Sequence, residues 1–155
     1  MDFFSTAVIR DALAYLHIIE NPLKAGVYLN RILKQSGITE VNVQRLNACA
    51  ERLAWDDDSS DFIYECMLDV ENQLDAQVNQ IREVTRTIEQ LLQQKDRLKL
   101  AELVYDLLVR STDLYKRSLR QKNWRDAQLL NKLYEIAQDY ESITKHSSVS
   151  DFLEP

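Results

Sequence analysis

The sequence predicts an all-α fold, an irregular bundle of about six helices. Its 155 residues include only two glycines and two prolines, which is too few turn-forming residues for a sheet of many strands. Strong helix formers, namely Leu, Ala, Glu, Gln, Lys and Arg, fill the interior of the chain. Apolar residues also recur at intervals of three and four over most of its length. The length suffices for one self-sufficient core, so we expect a single domain over residues 1–155.

The clearest helix lies within residues 3–22, where Ile9, Leu13, Leu16 and Ile19 share one face and Pro22 follows the end. A second helix is predicted over residues 23–34, because apolar residues again recur along one side and a glycine follows where a C-terminal cap is typical. The residues expected on that side are Leu23, Val27, Tyr28, Ile32 and Leu33.

The third predicted helix follows Thr39, whose hydroxyl is well placed to cap it. Its expected apolar face consists of Val41, Val43, Leu46, Ala50 and Leu53. The polar run of residues 56–61 then predicts a solvated linker. A long helical stripe extends from residue 61 to about residue 94, with a break near residues 71–75. Another helix is predicted over residues 100–111, and Asn123 can cap the last long one.

The core predicted from these faces draws on every long helix. Its members are Ile9, Leu13, Leu16, Ile32, Leu46, Ile81, Ile88, Val104, Leu107, Leu133 and Ala137.

Charge is distributed unevenly along the chain. The net charge is -6, yet residues 95–125 hold nine basic and four acidic side chains. Within them, residues 115–125 carry five basic side chains, no acidic one and an aromatic residue near each end, which indicates a contact with a polyanion. The alternative is a solvated connector in which Tyr115 and Trp124 insert into the core. The five basic residues are Lys116, Arg117, Arg120, Lys122 and Arg125.

Residues that would support catalysis are missing from the sequence. No phosphate-binding loop of the Gly-x-x-x-x-Gly-Lys-Ser/Thr type occurs, so ATP binding is not expected. The Asp56–Asp58 run lacks the alternating ligands of a calcium loop. His17 and His146 have no ligand partner at a suitable spacing, so no metal or other cofactor is predicted. Cys49 and Cys66 are interpreted as reduced core thiols.

Four stretches carry a resemblance to a known family. Residues 3–22 contain Phe-Phe, Ile-Arg-Asp-Ala-Leu-Ala-Tyr-Leu and Asn-Pro in the order that opens the 2B subdomain of UvrD/Rep/PcrA-type superfamily 1 DNA helicases. Residues 99–115, 133–141 and 148–154 are similar to later helices of that subdomain. The resemblance covers nearly the whole chain. It departs from the family at residues 6–8, where charged side chains are usual, and at Asp113, where glycine is usual.

The resemblance implies a DNA contact at the turn between the second and third helices. The family carries a Gly-Ile-Gly turn there, and backbone amides at a helix start favour a nearby phosphate. This chain keeps the first Gly and the Ile but not the second Gly, so an ordinary capping turn is the alternative. The turn residues concerned are Lys34, Ser36, Gly37, Ile38 and Thr39.

As a whole, the resemblance implies an accessory subdomain of an ATP-dependent DNA helicase. Such a chain would have no activity of its own, would bind duplex DNA weakly and without sequence preference, and would dock on the motor domains of the parent enzyme. ATP and Mg²⁺ would belong to those motor domains. A monomeric cytoplasmic protein without membrane contact is expected. The alternative is a stand-alone helical domain that binds a partner helix through the apolar stripe of residues 74–92.

Overall fold

The computed structural model describes residues 2–144 and 147–154, and every regular element within them is helical. His146 lies outside these residues. The all-α prediction is confirmed, but the described residues form ten α-helices rather than about six. These are α1 (Ala7–Glu20), α2 (Gly26–Gln35), α3 (Glu40–Ala54), α4 (Ile63–Leu68), α5 (Val70–Gln73), α6 (Val78–Arg97), α7 (Leu100–Tyr105), α8 (Leu114–Arg120), α9 (Trp124–Ile143) and α10 (Val149–Leu153). Asp106–Ser111 continues α7 as a π-helix.

The larger number of helices comes mainly from breaks that no Gly or Pro marks. The stripe of residues 61–94 is divided into α4, α5 and α6, and the break expected near residues 71–75 lies between α5 and α6. Leu74 adopts an extended conformation with φ -124° and ψ 147°. Gln77 has a positive φ of 61°. Both conformations depend on tertiary contacts, which local sequence patterns do not report.

The chain divides into two compact units, one made of residues 1–16 with 90–155 and the other of residues 17–89. In the first unit, α7 and α8 pack on α9. In the second unit, α3 packs against α4, and α2 contacts both. The turn after α2 therefore belongs to the second unit, and the basic segment 115–125 belongs to the first.

The predicted core is confirmed except at Leu13. The other ten residues are buried, whereas Leu13 is only half-buried. It shares the outer face of α1 with Arg10, His17 and Glu20, which recur at helical spacing and are not buried. This helix buries most of its circumference, so several faces looked apolar in the sequence and Leu13 was assigned to the wrong one.

Other apolar assignments were wrong near the helix ends. In α2 the buried side chains are Leu29, Ile32 and Leu33, while Val27 is 76% exposed. The helix turns Gly26 inward instead, where an added Cβ would lie only 2.5 Å from the Cβ of Ser60. Gly26 makes this close approach, and Val27 after it lies on the exposed side of α2, whereas Ala25 before it is buried. Leu23, Val41 and Leu53 are also exposed.

The two cysteines form a disulfide, so the prediction of reduced thiols was wrong. Cys49 of α3 and Cys66 of α4 are bonded, with their Cα atoms 6.2 Å apart and both residues buried. They are 17 residues apart in sequence. Only the packing of α3 on α4 brings them together, and spacing alone does not reveal such a pair.

No helix in the described part of the chain combines the length and apolar character that a membrane span needs.

Candidate nucleic-acid interface

The basic segment is a helix followed by a tight turn, and only the part of the connector alternative that inserts Trp124 into the core is wrong. Helix α8 buries Leu114 and Ser118, and the Ser118 hydroxyl donates to the carbonyl of Leu114 over 3.0 Å. Tyr115 is half-buried, but Trp124 is 58% exposed and does not insert into the core. The cations are therefore displayed from an ordered element.

Lys116 and Lys122 are the most available of these cations. Both residues are exposed, and neither ammonium group forms a hydrogen bond or an ion pair with any residue that the structure describes. Lys116 lies in the first turn of α8 and Lys122 in the turn that follows the helix. A lysine without a partner can bind an external anion without first breaking an internal ion pair.

The two arginines of α8 are less available. Arg120 donates to Asp113 over 3.3 Å in an exposed ion pair, which is a weak interaction that a phosphate can replace. Arg117 is half-buried and lies near the phenol of Tyr15. Burial, with Asp113 and Asp11 nearby, raises the pKa of Tyr15 to about 12, and Arg117 opposes that shift. Arg117 thus contributes charge to the interior side of α8.

Arg125 lies in a cleft of about 390 Å³ that the start of α9 forms with the residues before and at the start of α1. Asp126 lines the same cleft, and its carboxylate accepts from the Asn123 amide over 2.9 Å. Asn123 is the N-cap of α9, as predicted, and accepts from the Asp126 N–H over 3.1 Å. The acidic neighbour reduces the positive potential around Arg125.

The turn between α8 and α9 has the geometry of a Schellman motif. The Asn123 N–H donates to the Ser118 carbonyl over 2.9 Å, and the Lys122 N–H donates to the Leu119 carbonyl over 3.1 Å. Lys122 has φ 55° at the position where glycine is usual. The left-handed residue of this turn therefore also carries a charge.

The turn between α2 and α3 has the same motif, with Gly37 at φ 84°. The Ile38 N–H donates to the Leu33 carbonyl over 3.0 Å, and the Gly37 N–H donates to the Lys34 carbonyl over 3.1 Å. Ile38 is buried, and Thr39 caps α3 as predicted by accepting from the Asn42 N–H.

Gln77 holds this second turn in place through its side chain. Its Oε1 accepts from the Thr39 N–H over 2.9 Å and from the Asn42 amide over 2.8 Å, and its Nε2 donates to the Gly37 carbonyl over 3.0 Å. One side chain thus bonds both ends of the Gly37–Thr39 turn. Nothing in the sequence marked Gln77, because it lies 40 residues from Gly37.

Few backbone amides remain at the Gly37 turn for a phosphate. The N–H groups of Ser36, Gly37, Ile38 and Thr39 all have partners within the protein. Among the described residues, only the Glu40 and Val41 amides at the start of α3 are without one. The Glu40 carboxylate belongs to the same first turn and repels an anion there.

No group of three or more His, Cys, Asp or Glu side chains within residues 2–144 and 147–154 is arranged to hold a metal ion. The sequence matches no protein-family model, and no curated protein matches it either. The resemblance to the helicase subdomain therefore rests on the residues of this chain alone.

Proposed function

We propose that this chain is a helical accessory domain that contacts the backbone of duplex DNA as part of an ATP-dependent helicase. The observation that supports it best is the ordered basic element formed by α8 and its turn, with Lys116 and Lys122 exposed and unpaired among the described residues. Lysines of this kind bind phosphates without reading bases, so the contact is independent of sequence.

The Gly37 turn has a smaller part in this proposal. It offers two amides, and the carboxylate of Glu40 lies beside them. Lys34 is exposed and supplies a single cation near the turn. The basic element therefore makes the main phosphate contacts, and the Gly37 turn contributes at most a minor one.

The alternative function, binding of a partner helix by residues 74–92, lacks an exposed surface. Leu74, Ile81, Val84, Ile88 and Leu91 are all buried. The apolar stripe therefore belongs to the core, as predicted for Ile81 and Ile88. In the proposed function, the chain has no catalytic role, and nucleotide and Mg²⁺ belong to the motor domains of a parent enzyme.

A salt titration of duplex binding tests the proposal. The probe is a fluorescein-labelled blunt 20-base-pair duplex, and binding is followed by fluorescence anisotropy. Each neutralised phosphate contributes about 0.9 to the slope of log affinity against log salt. Two to four contacts therefore give a slope of roughly -2 to -4, and the net charge of -6 confines binding to low ionic strength.

The decisive variant is Lys116→Gln with Lys122→Asn, because asparagine tolerates the positive φ of residue 122. Loss of two contacts flattens the slope by about two units. The matched control is Lys24→Gln with Lys132→Gln, which changes the net charge equally at two exposed lysines elsewhere. An unchanged slope in the first double variant, or an equal change in both, contradicts the proposal.

A further inference from the structure

A second cavity of the first unit lies where α7, its π-helical continuation, α8 and α9 meet. Its volume is about 290 Å³, and its walls are Tyr105, Leu108, Val109, Tyr115, Asn131 and Tyr134. The rings of Tyr105 and Tyr134 are 5.7 Å apart, with 58° between their planes. Three tyrosines thus surround one small apolar space.

The π-helix at Asp106–Ser111 builds one wall of this cavity, since Leu108 and Val109 belong to it. It is held by Asp106, which is 2% exposed, accepts from the Ser111 hydroxyl over 2.6 Å and pairs with Arg110 over 3.2 Å. Helices of this type are rare and occur frequently at functional sites.

Arg110 also connects this wall to the aromatic one. Its guanidinium carbon lies 5.4 Å from the centre of the Tyr105 ring. Arg110 thus pairs with Asp106 of the π-helix and also contacts a tyrosine that lines the cavity.

The polar groups around the cavity remain able to bond a ligand. The Tyr134 oxygen accepts from the Gln138 amide over 3.1 Å, so its own proton is still available to donate. The hydroxyls of Tyr105 and Tyr115 and the amide of Asn131 have no partner among the described residues. Apolar walls with a few polar groups are typical of ligand sites, and the volume lies just below their usual range of about 300–1,000 Å³.

We propose that this cavity takes one unpaired nucleobase of single-stranded DNA, an inference that rests on the proposed function. A flat heterocycle matches the small volume, the tyrosine rings supply stacking surfaces, and the free hydroxyl and amide groups meet the edge of the base. Lys116, whose ammonium is unpaired among the described residues, follows Tyr115 directly and supplies a cation for an adjoining phosphate. Base stacking on aromatic residues tolerates any sequence.

The test compares two single strands with the same phosphates, a ten-residue oligothymidylate and an abasic strand of equal length, each labelled with fluorescein. Wild-type protein is expected to bind the oligothymidylate roughly tenfold more tightly, as one stacked base implies. Tyr115→Leu and Tyr134→Leu bring that ratio close to one. Tyr115→Phe, which keeps the ring, retains most of it.

Tyr140→Leu is the matched control, because Tyr140 also lies on α9 but packs against Phe152 with ring centres 5.5 Å apart. It leaves the ratio unchanged. Thermal melts by circular dichroism show whether each variant is folded, and Tyr115→Phe is informative even if the leucine variants unfold.

Equal affinity of the wild-type protein for the two strands overturns the base site, and so does an unchanged ratio in folded leucine variants. The blunt-duplex salt slope separates this failure from that of the proposed function. If the duplex salt slope is as expected but the two strands bind equally, the proposed base site is rejected and the proposed duplex contact is retained. If duplex binding shows no salt dependence and neither single strand binds, the base site and the duplex contact are both rejected.

Discussion

The turns at Gly37 and Lys122 share one backbone motif but differ in what holds them. Both end a helix through the same two Schellman hydrogen bonds, and both lead into a helix with a side-chain cap. The Gly37 turn is also fixed by the side chain of Gln77, and it leads into α3, which the disulfide ties to α4. Among the described residues, no comparable side-chain bond from a distant part of the chain reaches the backbone of the Lys122 turn.

Charge separates the two turns in the same way. Lys34 and Glu40 flank the Gly37 turn with opposite charges, whereas Lys116, Arg120 and Lys122 give the other turn a positive surface. The same backbone motif therefore occurs in two different electrostatic surroundings. What distinguishes the two turns is which amides and cations remain free after internal bonding.

The largest effect is expected from the disulfide, which supports the helix that follows the Gly37 turn. For a loop of about this length, the chain-entropy model gives about 3 kcal/mol of stabilisation. Reduction with dithiothreitol should therefore lower the free energy of unfolding by about 3 kcal/mol in a urea titration. Cys49→Ala with Cys66→Ala is the control and should not respond to the reductant. If the urea midpoint of the wild-type protein is the same with and without the reductant, the Cys49–Cys66 disulfide is contradicted.

A smaller loss is expected for Gln77→Ala, which removes the side chain that bonds Gly37 and Thr39. The buried Asn42 also loses the shorter of its two side-chain hydrogen bonds and keeps the 3.4 Å bond to the Ala76 carbonyl, so the expected cost is about 1–3 kcal/mol. The positive φ at residue 77 strains alanine and glutamine alike. Gln73→Ala is the matched control, because its bonds to Asp69 and Arg52 are exposed. Equal urea midpoints for the two variants would show that Gln77 does not anchor the turn.

The smallest effects come from exchanging the left-handed residues. Gly37→Ala should cost about 1 kcal/mol from the backbone alone, because a Cβ there meets no atom within 4 Å. Lys122→Gly should stabilise by about 0.5–1 kcal/mol, since glycine relieves the same strain but gains freedom in the unfolded chain. Thermal melts of both variants, compared with the wild-type protein, measure the two changes in melting temperature. The comparison fails if the two substitutions change stability in the same direction.

Features set by short-range chemistry could be predicted from the sequence. Thr39 and Asn123 were recognised as caps, and both accept the expected backbone hydrogen bond. Glycine at residue 37 marked a left-handed C-terminal cap. The core residues predicted in the later long helices, among them Ile81, Ile88 and Leu133, are buried. In each case, the residue type and its immediate neighbours decide the structure.

Features set by distant contacts could not be predicted. Lys122 adopts a conformation usually left to glycine, and Gln77 anchors a turn 40 residues away. Cys49 and Cys66 meet only because α3 packs on α4. The tyrosine cavity could not be predicted, because face assignments assume the spacing of an α-helix and the π-helix at Asp106–Ser111 changes that spacing. Leu13 shows a further limit, since a helix buried on most sides has no single apolar face.

In the proposed function, duplex DNA contacts α8 and its turn rather than the Gly37 turn. Titration of ¹⁵N-labelled protein with a blunt duplex at low salt tests it most directly, because each backbone amide reports its own surroundings. We expect the largest chemical-shift changes at residues 114–125, above all at Lys116 and Lys122, and small changes at residues 36–42. Changes confined to Glu40, Val41 and their neighbours, with residues 114–125 unmoved, would contradict it.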